Sequence, residues 1–264
     1  MSNASAARQS ALDGVLDARQ ATAALAGDLF EVADAVAGQP ALRRALTDPG
    51  TPDDARADLV HALFDSRTGA DAVAVLAEAA KLRWSNPTEL VDALERQAVR
   101  ALLTQAQDTG RLDEVEDQLF KVERLVAASP DLRATLGDRR TDLAARTDLL
   151  GGLLAGKVDA VTDQLARRAV GARRRTFELT LEDYLKTAAD LRSRAVATVE
   201  VARPLSDDQL ARLRTALSRQ VGRDVKVRVV VDPAVLGGVR VTLGDEVIEG
   251  TVAGRLHDAR RRLA

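Results

Sequence analysis

The amino-acid sequence predicts a mainly α-helical protein: an N-terminal helical bundle region containing an internal repeat, followed by a small α+β C-terminal domain. Three observations predict it. Hydrophobic residues make up 46% of the chain but aromatic residues only 2%, so the core must be built from Ala, Leu and Val. With abundant Arg, Asp and Glu, such a composition favours helix. A segment near the N-terminus recurs 90 residues later, and the hydrophobic period changes from helical to alternating near residue 195.

The repeat is read directly. Leu29 to Leu46 lies on Leu119 to Leu136 without a gap, and nine of the eighteen positions are identical. They include Leu29/Leu119, Phe30/Phe120, Val32/Val122, Pro40/Pro130 and Leu42-Arg43/Leu132-Arg133. The same offset pairs Ala55-Arg56 with Ala145-Arg146 and Asp58-Leu59 with Asp148-Leu149. Ala/Leu patterning alone would not hold one register through the intervening loop, so we read a duplication.

Helix starts are marked in order along the chain. Thr51-Pro52-Asp53-Asp54 offers a hydroxyl N-cap, a proline with no N–H to leave unpaired, and carboxylates at the positive end of the dipole. Asn86-Pro87-Thr88-Glu89 and Ser129-Pro130-Asp131 repeat the device. Apolar residues follow at helical spacing, as in Leu59, Val60, Leu63, Phe64 and again in Leu149, Leu150, Leu153, Leu154. Gly110, Gly137 and Gly171 are expected breaks, and from about residue 10 to 190 no strand is expected.

Beyond that the pattern is different. Val196 to Val201 is short and β-branched, and Val225-Lys226-Val227-Arg228-Val229 and Val239 to Leu243 alternate strictly. Gly244-Asp245, with or without Glu246, predicts a tight hairpin into Val247-Ile248. Ser206 to Gln209 fits a capping box, with Leu205 and Leu210 as its hydrophobic staple. Leu210, Leu213, Leu217 and Val221 form that helix's apolar face, and a last helix is expected from Thr251. The expected domains are 1–95, an extra helical repeat; 96–194, a helical bundle; and 195–264, the α+β domain.

Several function classes are excluded or disfavoured. The formal charge is −2, from 38 basic and 40 acidic side chains, which gives no general attraction to nucleic acid or an anionic membrane. No cysteine means no disulfide and no thiolate chemistry. The N-terminus lacks a basic start followed by an apolar run, so no signal peptide is expected, and no stretch reaches the ~18–20 apolar residues of a membrane span. His61 and His257 are the only histidines and neither sits in a ligand pattern; no phosphate-cradling glycine loop occurs. No catalytic, cofactor or metal residues are therefore assigned. Arg167-Arg168, Arg173-Arg174-Arg175 and Arg260-Arg261-Arg262 lack interleaved aromatics to stack on bases, so they read as solvated faces, dipole partners or contacts for acidic protein surfaces. Trp84 is expected at a core boundary or an interface.

The most specific signal is an ordered set at the end of the chain. Asp232-Pro233, Gly237-Gly238, Gly244-Asp245, Glu249-Gly250-Thr251 and Arg255-Leu256 together resemble the C-terminal signature of the F-type ATP synthase delta subunits. The mitochondrial oligomycin-sensitivity-conferring protein belongs to the same family. Val235-Leu236 stands where that family has Leu-Ile, and Glu249-Gly250-Thr251 where it has Asp-Gly-Ser; each swap keeps the chemistry. Physically these are folding instructions: a strand end, a chain reversal a Cβ would block, and a hydroxyl cap. Residues 96 to 205 are similar to the family's helical domain. The first 90 or so exceed its ordinary length, as in lengthened actinobacterial forms whose extra part can be fused to subunit b; with no membrane segment read here, no such fusion is expected.

The resemblance implies a non-catalytic stator role. The helical domain would hold N-terminal segments of the alpha subunits on the catalytic head, and the C-terminal domain would join subunit b of the peripheral stalk. No cofactor or nucleic acid is implied, and membrane association would come only through the complex, peripherally at the cytoplasmic face of the bacterial plasma membrane. The extra copy is expected to enlarge the contact with stalk or head, because both copies share an apolar stripe. A helical scaffold or adaptor outside the synthase would keep the repeat but leave the terminal signature without a reason. An enzyme is disfavoured, since no acid/base or nucleophile set converges.

Overall fold

The computed structural model describes residues 3–173, 175–194, 196–221, 225–232, 238–243 and 246–249. The chain divides into two compact units, Met1–Leu185 and Lys186–Ala264. The first is built from α1 (Asn3–Asp17), α2 (Ala23–Gly38), α3 (Pro40–Thr47), α4 (Asp53–Phe64), α5 (Ala70–Lys81) and α6 (Pro87–Asp108). It continues through α7 (Leu112–Ala127), α8 (Pro130–Gly137), α9 (Leu143–Leu154) and α10 (Ala160–Val170) into α11 (Phe177–Arg194), whose last residues belong to the second unit.

The duplication is visible in the helix starts. Helices α3, α4, α5 and α6 begin at residues 40, 53, 70 and 87; α8, α9, α10 and α11 begin at 130, 143, 160 and 177, each 90 residues later. Helix α6 therefore closes the first copy and opens the second. It is continuous through residues 95 and 96, where the sequence reading set a domain border.

Side-chain caps fix several of these starts. The Asn86 side chain accepts from the amides of Thr88 and Glu89, and Ser129 from that of Leu132, each with Pro at the first helical position. Thr22 caps α2 in the same way. Gly110, at φ 71°, ends α6: its amide donates to Gln107 and that of Arg111 to Ala106, a paired C-terminal motif that requires the left-handed region. Thr51 does not cap α4, as the sequence suggested. Its hydroxyl is bonded to the Asp48 carboxylate at 2.9 Å, and the residue before the helix is Pro52, which offers no side-chain cap.

That turn carries the repeat down to single hydrogen bonds. In the first copy the Gly50 amide donates to the Asp48 side chain, and in the second the Arg140 amide donates to Asp138, both at 3.0 Å. These bonds hold both carboxyls below their ordinary pKa: Asp48 chiefly through the Gly50 N–H, then the Thr51 hydroxyl; Asp138 chiefly through the Arg140 side chain, then its N–H. A buried arginine then closes each turn. Arg56 donates Nη1 to the Thr51 carbonyl at 2.6 Å, and Arg146 donates Nε to that of Thr141 at 3.2 Å.

The first core cluster gathers Leu12 from α1, Val32 and Val36 from α2, Val60 and Phe64 from α4, Leu76 from α5, and Leu90 and Leu94 from α6. Trp84 packs at its margin, donating Nε1 to the Ala79 carbonyl at 2.9 Å beneath the Arg8 guanidinium. Helix α1 is held to α6 by a buried ionic cluster: Asp13 accepts from Arg96 at 2.5 Å and from Gln97 at 3.0 Å, with Arg100 at 3.4 Å. Burial opposes the charged Asp13, but Arg96, Arg100 and Gln97 outweigh it and hold the carboxyl below its ordinary value. The folded state thus takes up that proton less readily than the unfolded chain. Its stabilisation is complete above the ordinary aspartate pKa of about 4 and is lost as pH falls through the lower folded value. Urea melts between about pH 5 and 2.5 should show stability falling less steeply in Asp13→Asn than in the wild type; parallel curves would remove Asp13 as the source.

The second unit holds a four-stranded sheet of order β2-β1-β3-β4: β1 (Val196–Val201), β2 (Lys226–Val231), β3 (Val239–Leu243) and β4 (Glu246–Glu249). Strands β1 and β2 pair in parallel through the crossover helix α12 (Asp207–Val221), while β3 pairs antiparallel to β1 and β4 to β3. The central strand buries Ala197, Val199 and Val201 against Leu213 and Leu217 of α12 and the inward valines 225, 227 and 229. Ser206 and Gln209 form the reciprocal capping box, at 3.3 and 3.0 Å. Leu243 faces Glu246 across the hairpin, so the connection is Gly244-Asp245 alone. The helix expected from Thr251 lies outside the described residues.

Candidate docking surface

Helix α9 is apolar on two sides. Its sequence places adjacent leucines at 149–150 and 153–154, and one of each pair turns inward: Leu150 and Leu154 are buried with Arg146. The other of each pair turns outward, Leu149 at 42% and Leu153 at 40% exposure, one turn apart on the same face. Leu143 at the helix start is 46% exposed; Phe120 and Leu125 on α7 and Leu179 on α11 are half exposed too. Fully burying a leucine is worth roughly 1.5–3 kcal/mol, so each of these positions retains apolar surface that a partner can cover.

The first copy does not show this surface. At the positions 90 residues earlier, Leu125, Leu143 and Leu179 are answered by Ala35, Asp53 and Glu89. Phe120 is answered by Phe30, which is only 7% exposed. Among the described large hydrophobics of the first copy, only Leu63 is exposed. Scattered exposed leucines need no explanation. Six in one copy against one in the other do.

Polar side chains nearby are already engaged. Arg167 pairs with Asp163 at 2.7 Å, Arg168 with Asp34 and Glu95, and Arg175 with Asp183 at 3.1 Å, so much of the basic run is neutralised within the chain. The open cleft at the α8–α9 turn, about 640 Å³ and lined by Arg133, Thr135, Asp138 and Arg140, holds an acid and a base already bonded to each other at 3.0 Å. His61 is half exposed and lies 3.0 Å from Asp65; His257 lies outside the described residues. Among the described residues no group of three or more His, Asp or Glu could hold a metal ion.

The terminal signature is described in part. The Asp232 amide donates to the Val201 carbonyl at 2.9 Å, tying the end of β2 to the central strand. Gly238 stands at φ 84°, where a Cβ would be strained, and Glu249 pairs with Arg240 in the ladder. Pro233, Gly237, Gly244, Asp245, Gly250, Thr251, Arg255 and Leu256 lie outside the described residues.

Outward leucines on stable helices, beside charges satisfied internally, leave an apolar face that a partner can cover. Comparison with known proteins identifies the family. The chain belongs to the ATP synthase delta (OSCP) subunit family, whose model matches residues 94–263. It is 45% identical over 263 residues to the ATP synthase subunit delta of Streptomyces avermitilis, covering 99% of this chain and 96% of that one. The corresponding proteins of Kineococcus radiotolerans (44%; 98% and 95% covered) and Cutibacterium acnes (42%; 96% and 96%) are similar. A chain of the Toxoplasma gondii mitochondrial ATP synthase hexamer matches distantly, at 20% identity and TM-score 0.33 over 64% of this chain and 97% of that one. The chain is accordingly a peripheral-stalk subunit of the F-type ATP synthase, structural rather than catalytic. The family match starts inside α6 and leaves out the first copy, which these three bacterial relatives nonetheless cover. No described helix is long and apolar enough to cross a membrane.

Proposed function

We propose that the second repeat takes amphipathic N-terminal segments of the alpha subunits on its outward leucines, while the C-terminal domain joins subunit b. The whole would sit peripherally at the cytoplasmic face of the plasma membrane. The observation that supports this most is the outward apolar face of α9, with Leu149 and Leu153 one turn apart. An amphipathic helix lays such a stripe against such a face, giving a slow-dissociating contact without any reactive group. The division of labour follows the expected domains 1–95, 96–194 and 195–264, with the terminal signature serving the fold of the last one. Holding the head still while the rotor turns requires tight contacts; nanomolar binding corresponds to about −12 kcal/mol, within reach of two such contacts.

Titrating the full chain with a synthetic alpha-subunit N-terminal segment by calorimetry tests the reading. Saturable binding with a negative heat-capacity change is expected, the mark of apolar burial. No heat with alpha segments, alongside binding to isolated catalytic subunits lacking them, would overturn it.

A further inference from the structure

Phe30 and Phe120 occupy the same repeat position, yet one is covered and the other half exposed. What covers Phe30 includes the second copy itself: the Arg168 guanidinium of α10 lies 4.6 Å from the Phe30 ring centre. The same guanidinium forks onto Asp34 of α2 at 2.8 and 2.9 Å and reaches Glu95 of α6 at 2.7 Å through Nε. Arg173, three residues past the end of α10, bonds to the same Asp34 oxygen and lies 3.8 Å from Glu95. Arg139 holds this segment as well, donating to the carbonyls of Ala172 and Arg173 at 3.3 and 3.1 Å. Burial alone would raise the Asp34 carboxyl, but Arg168 and then Arg173 outweigh it and hold it below its ordinary value.

The repeat does not copy this cluster. Ninety residues from Asp34 stands Arg124, from Glu95 Leu185, and from Arg168 Glu78, so two of the charges are reversed and one is lost. The cluster belongs to the join between the copies. It sits where α10 ends, just before α11 begins at Phe177, and Tyr184 of α11 is buried within electrostatic reach of Glu95 and Arg168.

We propose that the first repeat acts as an internal brace, Asp34 and Glu95 gripping Arg168 and Arg173 so that the α10–α11 junction is held fixed. The repeat face that stays open at Phe120 is, in the first copy, occupied by the second copy. The extra repeat then stiffens the root of the helix that continues into the C-terminal unit, and does not simply double the partner-binding face. A bidentate arginine shared by two carboxylates suits that task, since its geometry is fixed by the fork.

Hydrogen exchange on the full chain decides it. In Asp34→Asn, amides of residues 171–183 should exchange at least tenfold faster than in the wild type, while those of α4 and α9 stay within twofold. Arg173→Gln, at a half-exposed position outside the core, should move the same amides in the same direction. Arg8→Gln serves as control, because it breaks the 3.1 Å bridge to Glu89 elsewhere in the bundle. Unchanged exchange at 171–183 in both variants, or an equal acceleration in the control, would overturn the brace.

Discussion

Replacing Arg56 with alanine should destabilise the helical unit by about 3–5 kcal/mol, the range for removing one member of a buried charged network. All of the guanidinium's anchoring directions are used. Nε donates to the Ala80 carbonyl at 2.6 Å, Nη1 to Asp48 and Thr51, and Nη2 to Asp53 and the Lys81 carbonyl. Ala80 and Lys81 end α5, where the last carbonyls have no partner inside the helix and carry the negative end of its dipole. One side chain therefore satisfies the end of α5 and the turn before α4. Its removal leaves buried carbonyls unsolvated and opens a void. For a unit of this size the loss corresponds to a drop on the order of 10 °C in melting temperature. Arg146→Ala should cost less: it donates to the Thr141 and Leu136 carbonyls, where Arg56 spans five acceptors, and it is more exposed. Thermal melts of the two variants side by side test the ranking; equal losses would show that the second copy depends on its arginine as much as the first.

The same arginines show how far the sequence could be read. Their equivalence was legible, because the register of the repeat puts Arg56 on Arg146. Their burial was not, because arginine on a helix is usually a solvent residue and only the packing of α5 against α4 turns this one inward. Local signals read well where one residue decides one bond: Asn86, Ser129, the Ser206 capping box and the Gly110 break all lie where the residues placed them, and Leu243 pairs with Glu246 as a tight hairpin requires. Thr51 did not cap α4 because Asp48, three residues back, competes for its hydroxyl. The central place of β1 and its parallel pairing with β2 were hidden, since strand order is set by long-range packing and leaves no mark on alternation. The docking surface was half legible. The stripe on α9 could be read from spacing, but outward leucines beside inward ones look identical in sequence. The contrast between Phe30 and Phe120 depends in part on what the neighbouring copy covers, which no local pattern records. The expectation that both copies offer the same stripe therefore needs amending: they share Leu63 and Leu153 as exposed positions, and little else.

That shared pair makes the sharpest test of the docking reading. Leu149→Asp with Leu153→Asp should weaken binding of the alpha-subunit segment at least a hundredfold, since central apolar contacts typically cost about 2 kcal/mol or more each when lost. A carboxylate there also places an unpaired charge against the partner's apolar stripe, which adds a desolvation penalty. Stability should fall little, because both side chains are already about two-fifths exposed and their buried neighbours Leu150 and Leu154 carry the core contacts. Leu63→Asp in the first copy is the matched control. At 39% exposure against 40%, it should lose the same small amount of folding stability as Leu153→Asp alone, so a difference in binding between those two single variants reflects the surface and not the fold. The surroundings differ in charge: Asp53, Asp54 and Asp58 precede Leu63 on α4, where the corresponding α9 positions are Leu143, Ala144 and Asp148. Binding by Leu63→Asp should therefore stay within about twofold of the wild type, a change below roughly half a kcal/mol. Equal losses at both sites would mean that the two copies dock partners alike, and no loss at either would move the head contact away from α9 altogether.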